Sequence, residues 1–252
     1  MRRSALFLSA LIIGLMPVFA HAEDPSANFT DAQRAEIKAI IKDYLTKENP
    51  EVLVQAGQEL QHREQTTAEA KSTEAVSKDK DKIFNDPNTP VGGNPKGDVT
   101  VVEFFDYQCG YCKMTEEAVE KLLAEDKKVK LVFKNFPILG AMSKEAAKAS
   151  FASIRQDKFL KFHEALMNKK DHITQDLLAQ TAKDVGMDVD KMKKDMADPA
   201  IDKLVQDSIA LGGEVGARGT PFFIVGEHVF SGALQYDELK KAVDATRNEK
   251  KS

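Results

Sequence analysis

The apolar positions of this chain fall into runs of different period. The first is continuous, from Ala5 to Phe19, behind Arg2 and Arg3 and ahead of Ala20-His21-Ala22. A basic start, an apolar core too short to span a bilayer and a small-x-small end predict a secretory signal peptide cut after Ala22. The period then becomes helical. Thr30 reads as an N-cap with Gln33 completing a capping box, and Ile37, Ile40, Ile41, Tyr44 and Leu45 form one stripe. Asn49-Pro50 ends that helix and opens a second, carrying Val52, Leu53, Ala56 and Leu60. Gln61 to Lys82 is polar, without Gly or Pro, and is compatible with either an exposed helix or a linker. The turn-rich stretch Asn85 to Asp98 marks a boundary.

Beyond it, Val99 to Phe105 is apolar and β-branched, as a buried strand should be. A helix from Lys113 to Glu125 follows, with Met114, Ala118, Val119, Leu122 and Leu123 as its expected inner face. A second strand is expected from Val129 to about Phe136. Residues 143–215 read as helical throughout. Phe222 to Val225, a turn at Gly226-Glu227 and His228 to Phe230 return to strand, and Leu234 to Ala245 is a closing helix. The expected order is β-α-β, a helical block, then β-β-α, an α/β fold.

Charge narrows the partners. The chain has 36 basic against 40 acidic residues, a net charge of −4, and signal cleavage would remove two of the basic ones. There is no net positive field to hold phosphates, so a nucleic-acid partner is not expected. No run after the signal is long and apolar enough for a membrane helix.

The chemistry lies in "VVEFFDYQCGYCK", Val101 to Lys113, which holds the chain's two cysteines, Cys109 and Cys112. A zinc clip needs about four ligands, but His62, His163, His172 and His228 are scattered. Haem attachment needs His after the second Cys, and Lys113 stands there. A bridge closing so short a loop restrains the unfolded chain little. A Cys-x-x-Cys at a strand-to-helix junction is instead the signal for a thioredoxin-like redox pair. Helix N-terminal amides would lower the Cys109 pKa, its thiolate would attack a substrate disulfide, and Cys112 would resolve the mixed disulfide. No metal or organic cofactor is expected.

"EFFDYQCGYC", "ARGTPFFIVG" and the helical block between them resemble the DsbA family of bacterial thiol-disulfide oxidoreductases. The resemblance implies a thioredoxin-like fold with an inserted helical domain. It maps the family's buried strand acid onto Glu103, as a proton exchanger for Cys112, and its cis-proline onto Pro221 after Thr220, where extended substrate would pair. The family's strongly oxidising members carry Pro-His between the cysteines. Gly110-Tyr111 stands here, implying a tuned thiolate and a less extreme oxidant, an isomerase or a reductant. Asp106 is placed in the loop without a role. Lys130 and Lys134 are expected to be solvated strand ends, not partners of Glu103.

The front segment, "FTDAQRAEIKAIIKDYLTKENPEVL", resembles the oligomerisation segment of the suppressor-of-copper-sensitivity branch, whose members can be trimeric isomerases. The expected organisation is a signal peptide (1–22), an N-terminal helical oligomerisation segment and linker (23–84), and a DsbA-like thioredoxin domain (85–248) with its helical insertion at about 143–215. The implied partners are cysteine-containing exported proteins, a membrane redox partner, and further copies of the chain through residues 30–60. The implied location is the periplasm. A further likeness, to outer-membrane-associated bacterial antigens of the family, adds an outer-membrane association. The competing readings are a non-enzymatic envelope antigen and a holdase chaperone on the same fold.

Overall fold

A computed structural model describes residues 29–250; the expected signal peptide lies outside them. The chain divides into two compact units, Met1–Gln61 and His62–Ser252.

In the first unit, helix α1 (Asp31–Asp43) starts with the expected capping box. The Thr30 hydroxyl accepts from the Gln33 amide and the Gln33 side chain accepts from the Thr30 amide. A π-helical turn, Tyr44–Glu48, follows, and helix α2 (Glu51–Lys78) begins after Pro50. No residue of α1 is buried, and Ile37, Ile40, Ile41 and Tyr44 of the apolar stripe are exposed, Ile40 to 61%.

The polar segment after Gln61 is helical. It completes α2 and, after a break at Asp79, forms helix α3 (Lys80–Phe84). Its few apolar residues are spent on the second unit's core: Val76 and Ile83 are fully buried with Val102, Phe104, Val132 and Ile224. The second unit therefore begins at His62, ahead of residue 85 where the turn-rich stretch suggested a boundary. That stretch also holds a strand absent from the expected order, β1 (Val91–Gly93).

The remaining strands are β2 (Val99–Phe105), β3 (Val129–Asn135), β4 (Phe222–Val225) and β5 (His228–Ser231). They form one sheet in the order β1-β3-β2-β4-β5. β2 and β3 are parallel, joined across helix α4 (Gly110–Glu125), and the other pairs are antiparallel. β2 is central and buried on both faces, which explains its nearly continuous apolar run. Alternation sends Val102 and Phe104 to the Val76–Ile83 side, and Val101 and Phe105 to the opposite core, which also holds both cysteines.

The helical block is five helices with turns between them: α5 (Ala141–Ile154), α6 (Phe159–Met167), α7 (Gln175–Asp184), α8 (Val189–Met196) and α9 (Pro199–Glu214). Phe159, Phe162, Leu166 and Leu178 join the core on the cysteine face. Helix α10 (Tyr236–Glu249) closes the fold. Two details differ from the sequence reading. Met114 points outward, 64% exposed, because the buried face of α4 starts from Cys112 and runs through Thr115, Val119 and Leu122. Lys134 is buried, and its ammonium donates to the Lys82 carbonyl (2.7 Å), Asp86 Oδ2 (3.0 Å) and Thr89 Oγ1 (2.6 Å).

The packing of Ile83 makes a prediction. Ile83→Ala should lower unfolding free energy by about 2–5 kcal/mol, as buried Ile truncations do. Urea titration followed by circular dichroism measures it, and an unchanged midpoint would show the α2–α3 segment to be a detached linker.

Candidate functional site

β2 ends at Phe105, and the next residues turn the chain into α4. Asp106 builds that turn. Its Oδ1 accepts from the Gln108 amide (2.9 Å), an Asx turn, and its carbonyl accepts from the Cys109 amide (2.9 Å). Its Oδ2 accepts from the amides of Ile138 (2.9 Å) and Leu139 (3.0 Å), tying the β3–α5 loop to the β2–α4 loop. Asp106 is buried. Sequence reasoning gave it no role; the signal was an Asp two residues before a residue that enters a helix N-terminus, the Asx-turn spacing.

Cys109 is the N-cap of α4, and both cysteines are free thiols. Cys109 Sγ accepts from the Cys112 amide (3.4 Å), and as a thiol it donates to the Thr220 carbonyl (3.2 Å). Its pKa is lowered from 9.0 to about 6. The hydrogen bond from the Cys112 thiol is the largest cause; the Thr220 side chain and the amides of Cys112 and Tyr111 add to it, and burial opposes them. Cys112 is fully buried and its thiol is pushed far up, first by burial, then by the Cys109 bond and the charge of Glu103. The two sulfurs therefore differ sharply in acidity. At neutral pH one thiolate forms, and it forms on Cys109.

Thr220-Pro221 is a cis peptide, and the Thr220 carbonyl lies against Cys109. Gly110 opens α4 with nothing within reach of an added Cβ, and Tyr111 is 65% exposed. The middle dipeptide is therefore at the surface, while Cys109 itself is 5% exposed. Ile138 and Leu139, held by Asp106, are also exposed. Lys113 donates to the Lys169 carbonyl (2.6 Å), fastening the start of α4 to the chain after α6.

Glu103 is fully buried between Phe133 and Phe223 of the neighbouring strands, and neither carboxylate oxygen has a hydrogen-bond partner. Its pKa is raised well above 4.5, first by burial, then by Glu116 and Cys109. Lys130 and Lys134 do not pair with it; they donate to the Phe84 carbonyl and to the Asp86 cluster. Two further buried groups were not singled out in the sequence. Glu116 on α4 and His163 on α6 face one another, Oε2 to Nε2 at 3.5 Å. Their helices are far apart in sequence, so spacing alone does not reveal the pair. Among the described residues no group of three or more His, Cys, Asp or Glu side chains is arranged to hold a metal ion.

The DSBA-like thioredoxin domain model matches residues 100–244, and the copper resistance protein ScsC N-terminal domain model matches residues 33–66. A probable disulfide bond formation protein D of Bacillus cereus is 32% identical over 165 residues, covering 60% of this chain and 76% of its own length. A thioredoxin-like oxidoreductase from Silicibacter pomeroyi, a solved structure, is 41% identical with a TM-score of 0.65, covering 67% of this chain and 97% of that one. Proteus mirabilis ScsC in a transitional conformation is 28% identical with a TM-score of 0.65, covering 88% of this chain and 100% of that one. The chain also matches Na(+)/H(+) antiporters NhaA; it spans 24% of the length of the one from Salinispora tropica, at 28% identity.

The Cys109 environment predicts a titration. Thiolate absorbance of the reduced protein should rise with a midpoint of about 6, and Cys109→Ser should abolish that step. The folded value lies below the ordinary 9.0, so between about 6 and 9 the folded protein binds fewer protons than the unfolded chain. The contribution of Cys109 to the stability of the reduced form is then complete above 9.0 and lost as pH falls through about 6. A midpoint near 9.0 would contradict the geometry.

Proposed function

The chain belongs to the DSBA-like thioredoxin domain family, and from that footing we propose that it is an exported protein thiol-disulfide oxidoreductase acting through Cys109 and Cys112. The observation that carries this reading is the unequal acidity of the two sulfurs, one lowered to about 6 and the other pushed far up. In the oxidised protein a substrate thiolate attacks Cys109 Sγ. The Cys109–Cys112 bond breaks, a mixed disulfide forms, and Cys112 leaves with the electron pair and takes a proton. A second substrate thiolate then attacks the substrate sulfur, and Cys109 leaves as its stabilised thiolate. The substrate gains a disulfide and the enzyme is left reduced.

A stabilised Cys109 thiolate favours the reduced enzyme and hence donation of the disulfide. The direction proposed is oxidation of cysteine-containing exported proteins, with a membrane redox partner restoring the disulfide. Thr220 and Pro221 offer the backbone edge for extended substrate. Gly110 and Tyr111 tune the thiolate, and the Glu103 carboxyl supplies the proton for Cys112. Residues 1–22 direct export to the periplasm. No described helix is long and apolar enough to cross a membrane, so an outer-membrane association would need another means of attachment.

A second reading, disulfide isomerisation by an oligomer, is favoured by the exposed apolar residues of the first unit, Ile37, Ile40, Ile41, Tyr44 and Leu53. Apolar stripes of this kind are buried by self-association. It assigns residues 23–61 to assembly and residues 62–250 to chemistry.

Two experiments test these readings. In paired assays of insulin reduction and scrambled-ribonuclease refolding, the native protein should be active and Cys109→Ser should fall to background. Equal activity of the two proteins would favour a holdase or a non-enzymatic envelope protein. In sedimentation, Ile40→Glu combined with Ile41→Glu should convert an oligomer to a monomer; an unchanged mass would reject assembly through this stripe.

A further inference from the structure

Two arginines of the second unit each hold two carboxylates: Arg155 those of Asp195 and Asp198, and Arg247 those of Asp98 and Asp126. Arg218 is exposed and, among the described residues, holds none. A guanidinium is a planar fork that fits two carboxylate oxygens at once. Its position makes the empty fork informative. Arg218 stands two residues before Thr220, whose carbonyl lies 3.2 Å from Cys109 Sγ. The inference here rests on the oxidoreductase reading and concerns which substrates the site takes.

The loop that carries Arg218 is fixed by helix α2. Gly216 has a φ of +85°, and a Cβ there would collide with the side chain of Ser72, which is buried on α2. The next residue, Ala217, is buried in one core cluster with Val76 and Ile83. Arg218 therefore projects from a clamped backbone, between a buried residue and the cis-proline edge.

Between α2 and Arg218 runs an open groove of about 460 Å³, lined by Arg63, Glu64, Thr67, Ala68, Lys71 and Arg218. Glu64, Thr67, Ala68 and Lys71 recur at helical spacing, so one face of α2 forms a wall. Three bases against one acid give the lining a net charge of +2, in a chain whose net charge is −4. Lys71 is exposed and, like Arg218, makes no ion pair among the described residues. The lining holds no large apolar side chain, so what the groove offers a ligand is charge and hydrogen bonding.

We propose that this groove is a specificity site, which binds an acidic stretch of a substrate polypeptide while a cysteine of the same stretch meets Cys109. Extended substrate paired along Thr220-Pro221 continues past Gly219 to Arg218. At about 3.3 Å per residue, an Asp or Glu about two to four residues from the reacting cysteine reaches the Arg218 guanidinium. Its carboxylate accepts from Arg218, which supplies the directed contact. Lys71 and Arg63 supply the field that draws an acidic chain in. The bonds made and broken at sulfur are those already described. The groove changes which thiolate arrives at Cys109 and how long it stays.

The test is single-turnover oxidation of short dithiol peptides by the oxidised full-length protein, read by alkylation and mass spectrometry. In each turnover the two thiols of the peptide become one disulfide and the Cys109–Cys112 disulfide becomes two thiols. Three peptides differ only in the residues flanking one cysteine at the stated distance, which are Glu, Gln or Lys. Each rate is divided by the rate of the same peptide with 2-hydroxyethyl disulfide, an uncharged reagent, which removes the effect of peptide charge on its own thiol. At low salt the Glu peptide should react about fivefold faster than the Gln peptide, the upper end of what an exposed ion pair contributes. The advantage should vanish in about 1 M sodium chloride, where charges are screened within about 3 Å. Arg218→Gln combined with Lys71→Gln should abolish it. Arg218→Glu combined with Lys71→Glu should reverse it, making the Lys peptide the fastest, a gain that no packing defect would produce. Equal rates for the Glu and Gln peptides with the native protein would overturn the specificity site, and so would a Glu preference that survives in both double variants. A native protein that oxidises none of the three peptides would overturn the oxidoreductase reading itself. That outcome is distinct, because failure of the groove alone leaves all three peptides oxidised.

Discussion

The second unit depends on keeping one sulfur able to carry charge and denying charge to its neighbour three residues on. Both lie in the same core, so burial alone would raise both. The difference is made by N–H and S–H groups aimed at Cys109 from the first turn of α4, and it lasts only while Cys109 stays at the N-cap. Asp106 holds it there through its backbone carbonyl, and its side chain fastens the loop bearing Ile138 and Leu139. The Thr220 carbonyl limits the thiol from the other side. A helix N-terminus thus becomes the proposed redox site because three separate loops are pinned to it.

Two buried ionisable side chains in adjacent strands differ in how the fold satisfies them. Lys134 on β3 has three acceptors, one for each N–H of its ammonium, and so is satisfied where it sits. Glu103 on β2 has none. A satisfied buried ion is stable in one protonation state, whereas an unsatisfied carboxyl responds to every change of charge near it. The role proposed for Glu103, proton donor to Cys112, draws on that response.

Much of this architecture was legible along the chain. The Thr30 capping box, the bounds of β2 and the position of the pair at a helix start are local features, set by residues within a few positions of one another. So were the buried strand β2 and the amphipathic stripe of α1, read from continuity and period, although the stripe is exposed within this chain. The misses are contacts between distant segments. The polar composition of the α2–α3 segment left an exposed helix and a linker both open, whereas the segment is helical and Val76 and Ile83 anchor it in the core on the sheet. Lys134 looked solvated because its partners come from a turn well before it. Met114 looked buried because it is apolar, while the helix is phased by Cys112. Asp106, Glu116 and His163 acquire meaning only when β3 and α6 are laid against β2 and α4.

The helical insertion bears on the chemistry. A sheet with α4 alone would leave the Glu116 face of that helix in water, and Glu103 would exchange protons with solvent at short range. α6 packs against α4, and its Phe159, Phe162 and Leu166 lie in the same core as Cys112 and Val119. Closure strengthens every electrostatic effect on the sulfurs, because the surrounding medium is less polarisable. It also removes the water that would otherwise move the proton. His163 of α6 is buried in that wall beside Glu116.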